Sequence, residues 1–143
     1  DLLKKTALVQ VTRTLGTLIG SGIPITESLR LTSETVNNEY YKKVFSESAE
    51  TIKGGISLHK ILGAHPHLFP KLLTSMIMVG ERTGTLEHIL KTSADLYEEE
   101  VDSALKELTT FIEPVLLLSM GVIIGLIALS ILLPIYQLVG KFS

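Results

Sequence analysis

Apolar side chains recur at three- and four-residue steps along most of this chain, and after Pro114 they stop alternating with polar ones. Leu8, Val11, Leu15 and Leu18 share one face of a helix predicted over Leu3–Ile19. Gly20, Gly22 and Pro24 end it. Glycine tolerates the left-handed conformation of a helix stop, and proline pushes its predecessor out of the helical region. A second helix is predicted from a Thr26 cap, with Glu27 in the first turn, where an acid suits the helix dipole. Asn37 and Asn38 mark a turn and the next N-cap. The third helix carries Tyr41, Val44, Phe45, Ser48 and Ile52 as an amphipathic stripe. Lys42, Lys43, Glu47 and Glu50 fall mostly on the solvated side, and Gly54-Gly55 stops the helix.

A short fourth helix, Ser57 to Leu62, is predicted with Ser57 as its cap. A loop with two prolines follows, and Pro70 suits the first position of a helix, where a missing N–H costs nothing. The fifth helix is expected to bury Leu72, Leu73, Met76 and Ile77 and to stop at Gly84. The sixth starts after a Thr85 cap. Its apolar positions Leu90, Ala94, Tyr97, Val101, Ala104, Leu108, Phe111 and Val115 alternate steps of four and three. A period of 3.5 asks for a partner helix at a shallow crossing angle. No run reads as a strand. The predicted fold class is all-α: a six-helix antiparallel bundle followed by one C-terminal transmembrane helix. Residues 1–110 form the bundle, 111–139 the membrane helix, and 140–143 a short far-side tail.

The stretch between Pro114 and Pro134 carries no charge, and the uncharged run continues to Gly140. About 20 apolar residues suffice for a helix to cross the hydrocarbon core of a bilayer. Its Leu, Ile and Val residues sum to on the order of −4 to −6 kcal/mol in favour of insertion, before Gly and Ser penalties. A soluble helix of this length would show a polar face. The stripe of the sixth helix runs straight into the span, so bundle and span are expected to share one long helix, bent or unbent at Pro114. Gly121 and Gly125 have the four-residue spacing that lets another membrane helix approach closely. Glu113, beside Pro114 at the membrane mouth, either reaches out to the interface or pairs with a group on another helix or domain.

Composition narrows the chemistry. The 143 residues carry a net charge of −2 and no cysteine. Near-neutral charge argues against nucleic acid, and the lack of Cys removes disulfide and thiolate chemistry. The chain opens on Asp1 rather than Met and is expected to be a segment of something longer. His65 and His67 flank Pro66 without a further ligand at metal spacing. The serines sit at caps and on helix faces, not on a nucleophile elbow. Gly54-Gly55-Ile56-Ser57 lacks the lysine of a phosphate loop. No enzyme activity, cofactor or metal is expected, and any energy must come from a partner. Glu81 and Arg82, between Gly80 and Gly84, read either as a polar helix end or as a charged corner presented to a partner.

Taken in order, several pieces resemble the inner-membrane platform protein of type II secretion systems and type IV pili, the GspF/PilC family. They are Leu18-Ile19-Gly20-Ser21-Gly22-Ile23-Pro24-Ile25, Gly54-Gly55-Ile56-Ser57-Leu58, Phe69-Pro70, the Gly80 to Leu86 corner, Tyr97-Glu98 with Glu100-Val101, Glu113-Pro114, and Leu133-Pro134-Ile135. The resemblance implies the second of two cytoplasmic bundles together with the last of three membrane spans. It implies a non-enzymatic platform in the cytoplasmic membrane, its bundle facing the cytoplasm. The implied partners are a hexameric secretion ATPase, pilin or pseudopilin, other inner-membrane assembly proteins and further copies of the chain. It carries the family's motif glutamate onto Glu81 and the acid before proline onto Glu113. The filament built (pilus, secretion or competence) stays open. Charge does not set the orientation: Lys106 precedes the span and Lys141 follows it.

A membrane-anchored regulatory bundle, signalling through the sixth helix, is the competing reading. Only Gln137 to Ser143 would lie on the far side, too short to fold as a sensor. A transporter would need ionisable groups in the span, which only Ser, Gly and Met interrupt.

Overall fold

The computed structural model describes residues 2–142. Among them every regular element is helical: α1 (Leu2–Gly20), α2 (Ile25–Thr35), α3 (Glu39–Thr51), a 3-10 turn (Ile52–Gly54), α4 (Leu58–Gly63), α5 (Lys71–Thr83) and α6 (Leu86–Lys141). The chain divides into two compact units, Asp1–Asp102 and Ser103–Ser143.

In the first unit the predicted stripes meet in one core. Leu8, Val11 and Leu15 of α1 join Leu29 of α2, Tyr41, Val44 and Phe45 of α3, Leu73 and Ile77 of α5, and Leu90 and Tyr97 of α6. Phe69, in the loop before α5, fills the centre. Its ring packs edge-on against Tyr41 at 5.4 Å and Phe45 at 5.9 Å, the arrangement that aromatic quadrupoles favour. The Tyr41 hydroxyl donates to the Leu68 carbonyl at 2.8 Å. Burial, with Tyr97 nearby, pushes the Tyr41 phenol up to about 12. Thr12, Thr32 and Ser48 are buried yet satisfied, each donating to the carbonyl four residues back.

Helices α1 and α6 run antiparallel. Lys5 pairs with Glu100 at 2.9 Å, Arg13 with Asp95 and Glu98, and further along Gly16 meets Leu90. A Cβ at Gly16 would stand 3.1 Å from the Leu90 Cβ, so the helices touch where α1 has no side chain.

Element ends differ from the sequence reading in physically simple ways. Helix α2 starts one residue after Pro24 without a side-chain cap, so Thr26 lies inside the first turn rather than capping it. Pro70 holds the cap position of α5, one residue before the helix, instead of the first helical position. Asn38 caps α3 as expected, accepting from the Tyr40 N–H at 3.0 Å. Ser57 holds the α4 cap position but makes no side-chain capping bond. Leu72, expected in the core, is 56 % exposed, and Met76 is only half-buried. Adjacent helical residues point about 100° apart, and α5 is turned so that the core takes Leu73 with Ile77 and Gly80, leaving Leu72 on the flank.

The second unit is the rest of α6, helical through both Pro114 and Pro134. Its large apolar side chains, from Leu105 to Phe142, are exposed. The stripe predicted on α6 is therefore used in part: Leu90, Ala94 and Tyr97 are buried, whereas Leu108, Phe111 and Val115 lie open. This is the one helix among the described residues that is long and apolar enough to cross a membrane.

Candidate partner-contact site

The Gly80–Gly84 corner is built by two glycines with different jobs. Gly80 is buried at the approach of α5 to the start of α6; a Cβ there would stand 3.0 Å from the Leu86 Cα and 3.1 Å from the Ile89 Cγ1. Gly84 ends α5 at φ 72, a conformation that costs other residues, and its N–H donates to the Gly80 carbonyl. The Thr85 N–H donates to the same carbonyl at 3.0 Å. Thr85 stands just ahead of α6, its carbonyl accepts the Ile89 N–H, and its hydroxyl pairs with that of Thr83 at 2.6 Å.

Between the glycines, Glu81 turns inward. One carboxylate oxygen accepts the Leu58 N–H at 2.5 Å; the other accepts the His59 N–H at 3.2 Å and meets the His59 Nδ1 at 2.5 Å. These are first-turn amides of α4, which have no partner inside their own helix. The capping that Ser57 does not supply comes instead from a carboxylate on another helix. Charge-assisted bonds of this kind are about twice as strong as neutral ones. The sequence reading missed this, and gave His59 no role. The signal lay in a Ser57 with no acid three residues behind it to complete a capping box.

The residues proposed for partner contact thus separate. Glu81 is 18 % exposed and occupied within the fold. Arg82, its neighbour, points outward and takes part in no ion pair among the described residues. Glu113 is exposed and belongs to the second unit. Gly121 and Gly125 also lie there; a Cβ at either would meet nothing within 4 Å. Elsewhere, His65 and His67 line an opening of about 430 Å³ with Tyr40 and Leu68. No group of three metal-ligating side chains occurs among the described residues.

Comparison with known proteins places these features in a family. Residues 11–134 match the family model described as type II secretion system (T2SS), protein F. Over 143 residues the chain is 38 % identical to a type IV pilus assembly protein PilC of Thermus thermophilus, covering all of this chain and 35 % of the relative. It is 37 % identical to the PilC of Myxococcus xanthus, covering 99 % of this chain and 34 % of that protein. It is 33 % identical to a type II secretion system protein F of Aeromonas hydrophila, covering 95 % and 34 %. The chain spans about a third of the length of these relatives. An all-helical bundle, an apolar helix of membrane-crossing length and a match along most of the sequence agree: this chain belongs to the type II secretion system protein F family, which includes the PilC proteins of type IV pilus assembly.

Proposed function

We propose that this chain is part of a non-enzymatic platform in the cytoplasmic membrane, coupling a hexameric secretion ATPase to assembly of pilin or pseudopilin filaments. In this reading residues 1–110 form a bundle on the cytoplasmic side, residues 111–139 cross the bilayer, and 140–143 emerge beyond it. Other inner-membrane assembly proteins and further copies of the chain complete the platform, with Gly121 and Gly125 as the approach strip for a neighbouring membrane helix. Glu113 is assigned to contact at the membrane mouth. The observation that supports the reading best is the corner itself: Glu81 ties α5 to α4, and Arg82 is held outward on the rigid element that results. A partner can push on such a corner without the bundle yielding locally.

The test places a photo-reactive residue at Arg82 in the full-length protein in its source cell and identifies what is captured. Capture of the secretion ATPase or of another assembly protein is the expected result. Capture of neither, with normal expression and insertion, would replace the platform with a membrane-anchored regulatory bundle.

A further inference from the structure

Helix α5 leaves one face without a partner. Its buried face is Leu73, Ile77 and Gly80. On the flank about a quarter turn round, Leu72 and Val79 are exposed by 56 % and 49 %, and half-buried Met76, which the Ser93 hydroxyl of α6 reaches at 3.8 Å, lies between them, one turn from each. Beside this ridge run Lys71, Ser75 and Arg82, all exposed. Lys71 and Arg82 are three helical turns apart, so they share an edge of α5 about 16 Å apart. Neither enters an ion pair among the described residues. The single acid of α5 is Glu81, and it is turned away onto the amides of α4. From its own residues α5 therefore offers an apolar ridge, a base at each end of the neighbouring edge and no outward acid; the acid next to Leu72, Glu100, is held by Lys5. Beyond Leu72 it borders an opening that Lys4, Lys5 and Glu100 also line, the last two paired with each other at 2.9 Å. A solvated helix face usually mixes both signs, as α2 does with Glu27, Arg30 and Glu34.

We infer that the outer face of α5 docks an amphipathic helix of a partner protein, one with an apolar ridge and two acidic residues about three turns apart. Apolar contact with Leu72, Met76 and Val79 supplies the attraction. The acids at the spacing of Lys71 and Arg82 fix register and direction, and exclude basic helices. Glu81 contributes indirectly: its bond to α4 removes the charge that would repel such acids. The inference deepens the platform reading, since it gives the chemistry of the surface that meets Arg82.

The experiment uses the full-length protein in its source cell, with a photo-reactive residue at Val79 or at Leu72 and sequencing of the crosslinked peptide. A peptide from another protein, with two acids ten to twelve residues apart flanking apolar positions, is expected. Lys71→Glu with Arg82→Glu should cut its yield at least about tenfold, and reversing both acids of the partner to lysine should restore it. Both positions are exposed, so the doubly reversed protein should melt within a few degrees of the parent, which excludes unfolding as the cause. The inference is overturned by a captured peptide without the acid pair, by a second copy of this chain, by lipid alone, by no capture at normal expression, or by a yield indifferent to charge reversal. An assembly protein caught through a peptide lacking the acids would sink this inference and leave the platform reading standing. A regulatory partner caught through an acidic helix would do the reverse.

Discussion

The two units use apolar residues in opposite ways. In Asp1–Asp102 Leu, Val and Phe are covered wholly or in part by protein, Leu3, Leu72 and Val79 excepted; in Ser103–Ser143 they are all uncovered. The first arrangement needs periodicity, because water lies on one side of each helix and the core on the other. The second needs none, because lipid surrounds a span on every side. A substitution that creates a hole should therefore be costly in one unit and cheap in the other, and a substitution that adds charge should do the opposite.

The sharpest break between them is Phe69→Ala. It removes a ring gripped by Tyr41 and Phe45 and should cost about 3–5 kcal/mol, read from urea-induced loss of bundle helicity in detergent. Leu126→Ala, in the same assay, should change stability by less than about 0.5 kcal/mol. Equal losses at the two sites would mean that the span is packed against protein in the way the core is. The converse pair is Leu126→Arg and Tyr40→Arg. The first should oppose insertion by about 3 kcal/mol, measured by glycosylation mapping. The second, at an exposed bundle position, should leave bundle stability within about 0.5 kcal/mol.

A smaller effect tests the corner. Glu81→Ala leaves the first amides of α4 without their acceptor and should cost about 1–3 kcal/mol, with hydrogen exchange rising at Leu58 and His59 before the rest of the bundle. Glu81→Gln keeps an acceptor and should lose less. Uniform exchange across the bundle in Glu81→Ala would refute a local clamp. A pH effect tests the core. The folded Tyr41 phenol titrates near 12, above its unfolded value near 10, so the folded state holds the proton longer. Its contribution is complete below pH 10 and is lost as pH rises towards 12. Tyr41→Phe should flatten the alkaline fall in melting temperature over that window, measured by circular dichroism.

These contrasts also mark what was readable in the amino-acid order. The stripes of α1 and α3 lie where spacing puts them, because one strong apolar period points one way. Asn38 and Gly84 ended elements as expected, since capping and left-handed backbone are local properties. Leu72 was misplaced because two neighbouring leucines offer two faces, and only the packing of α5 decides between them. The clamp was illegible for a different reason: Glu81 and Leu58 are 23 residues apart, and no local pattern says that the cap of one helix comes from another. Glu81 and Arg82 read from sequence either as a polar helix end or as a charged corner; about 100° of helix separates them, and Glu81 is taken up by the amides of α4 while Arg82 is exposed.

The prolines of α6 carry a consequence for hydration. Proline has no N–H, so Pro114 cannot satisfy the carbonyl of Thr110, nor Pro134 that of Ser130. The hydroxyls of these two residues do not help, since each donates to a carbonyl further back, on Lys106 and Leu126. The apolar stretch thus carries two thirsty oxygens, one at its start and one on its far half, about 30 Å apart along the helix, close to the thickness of the hydrocarbon layer. Each is a foothold for a water molecule or for a donor on an adjoining helix. The depth at which the segment settles is then marked by backbone atoms as well as by the hydrophobicity between them.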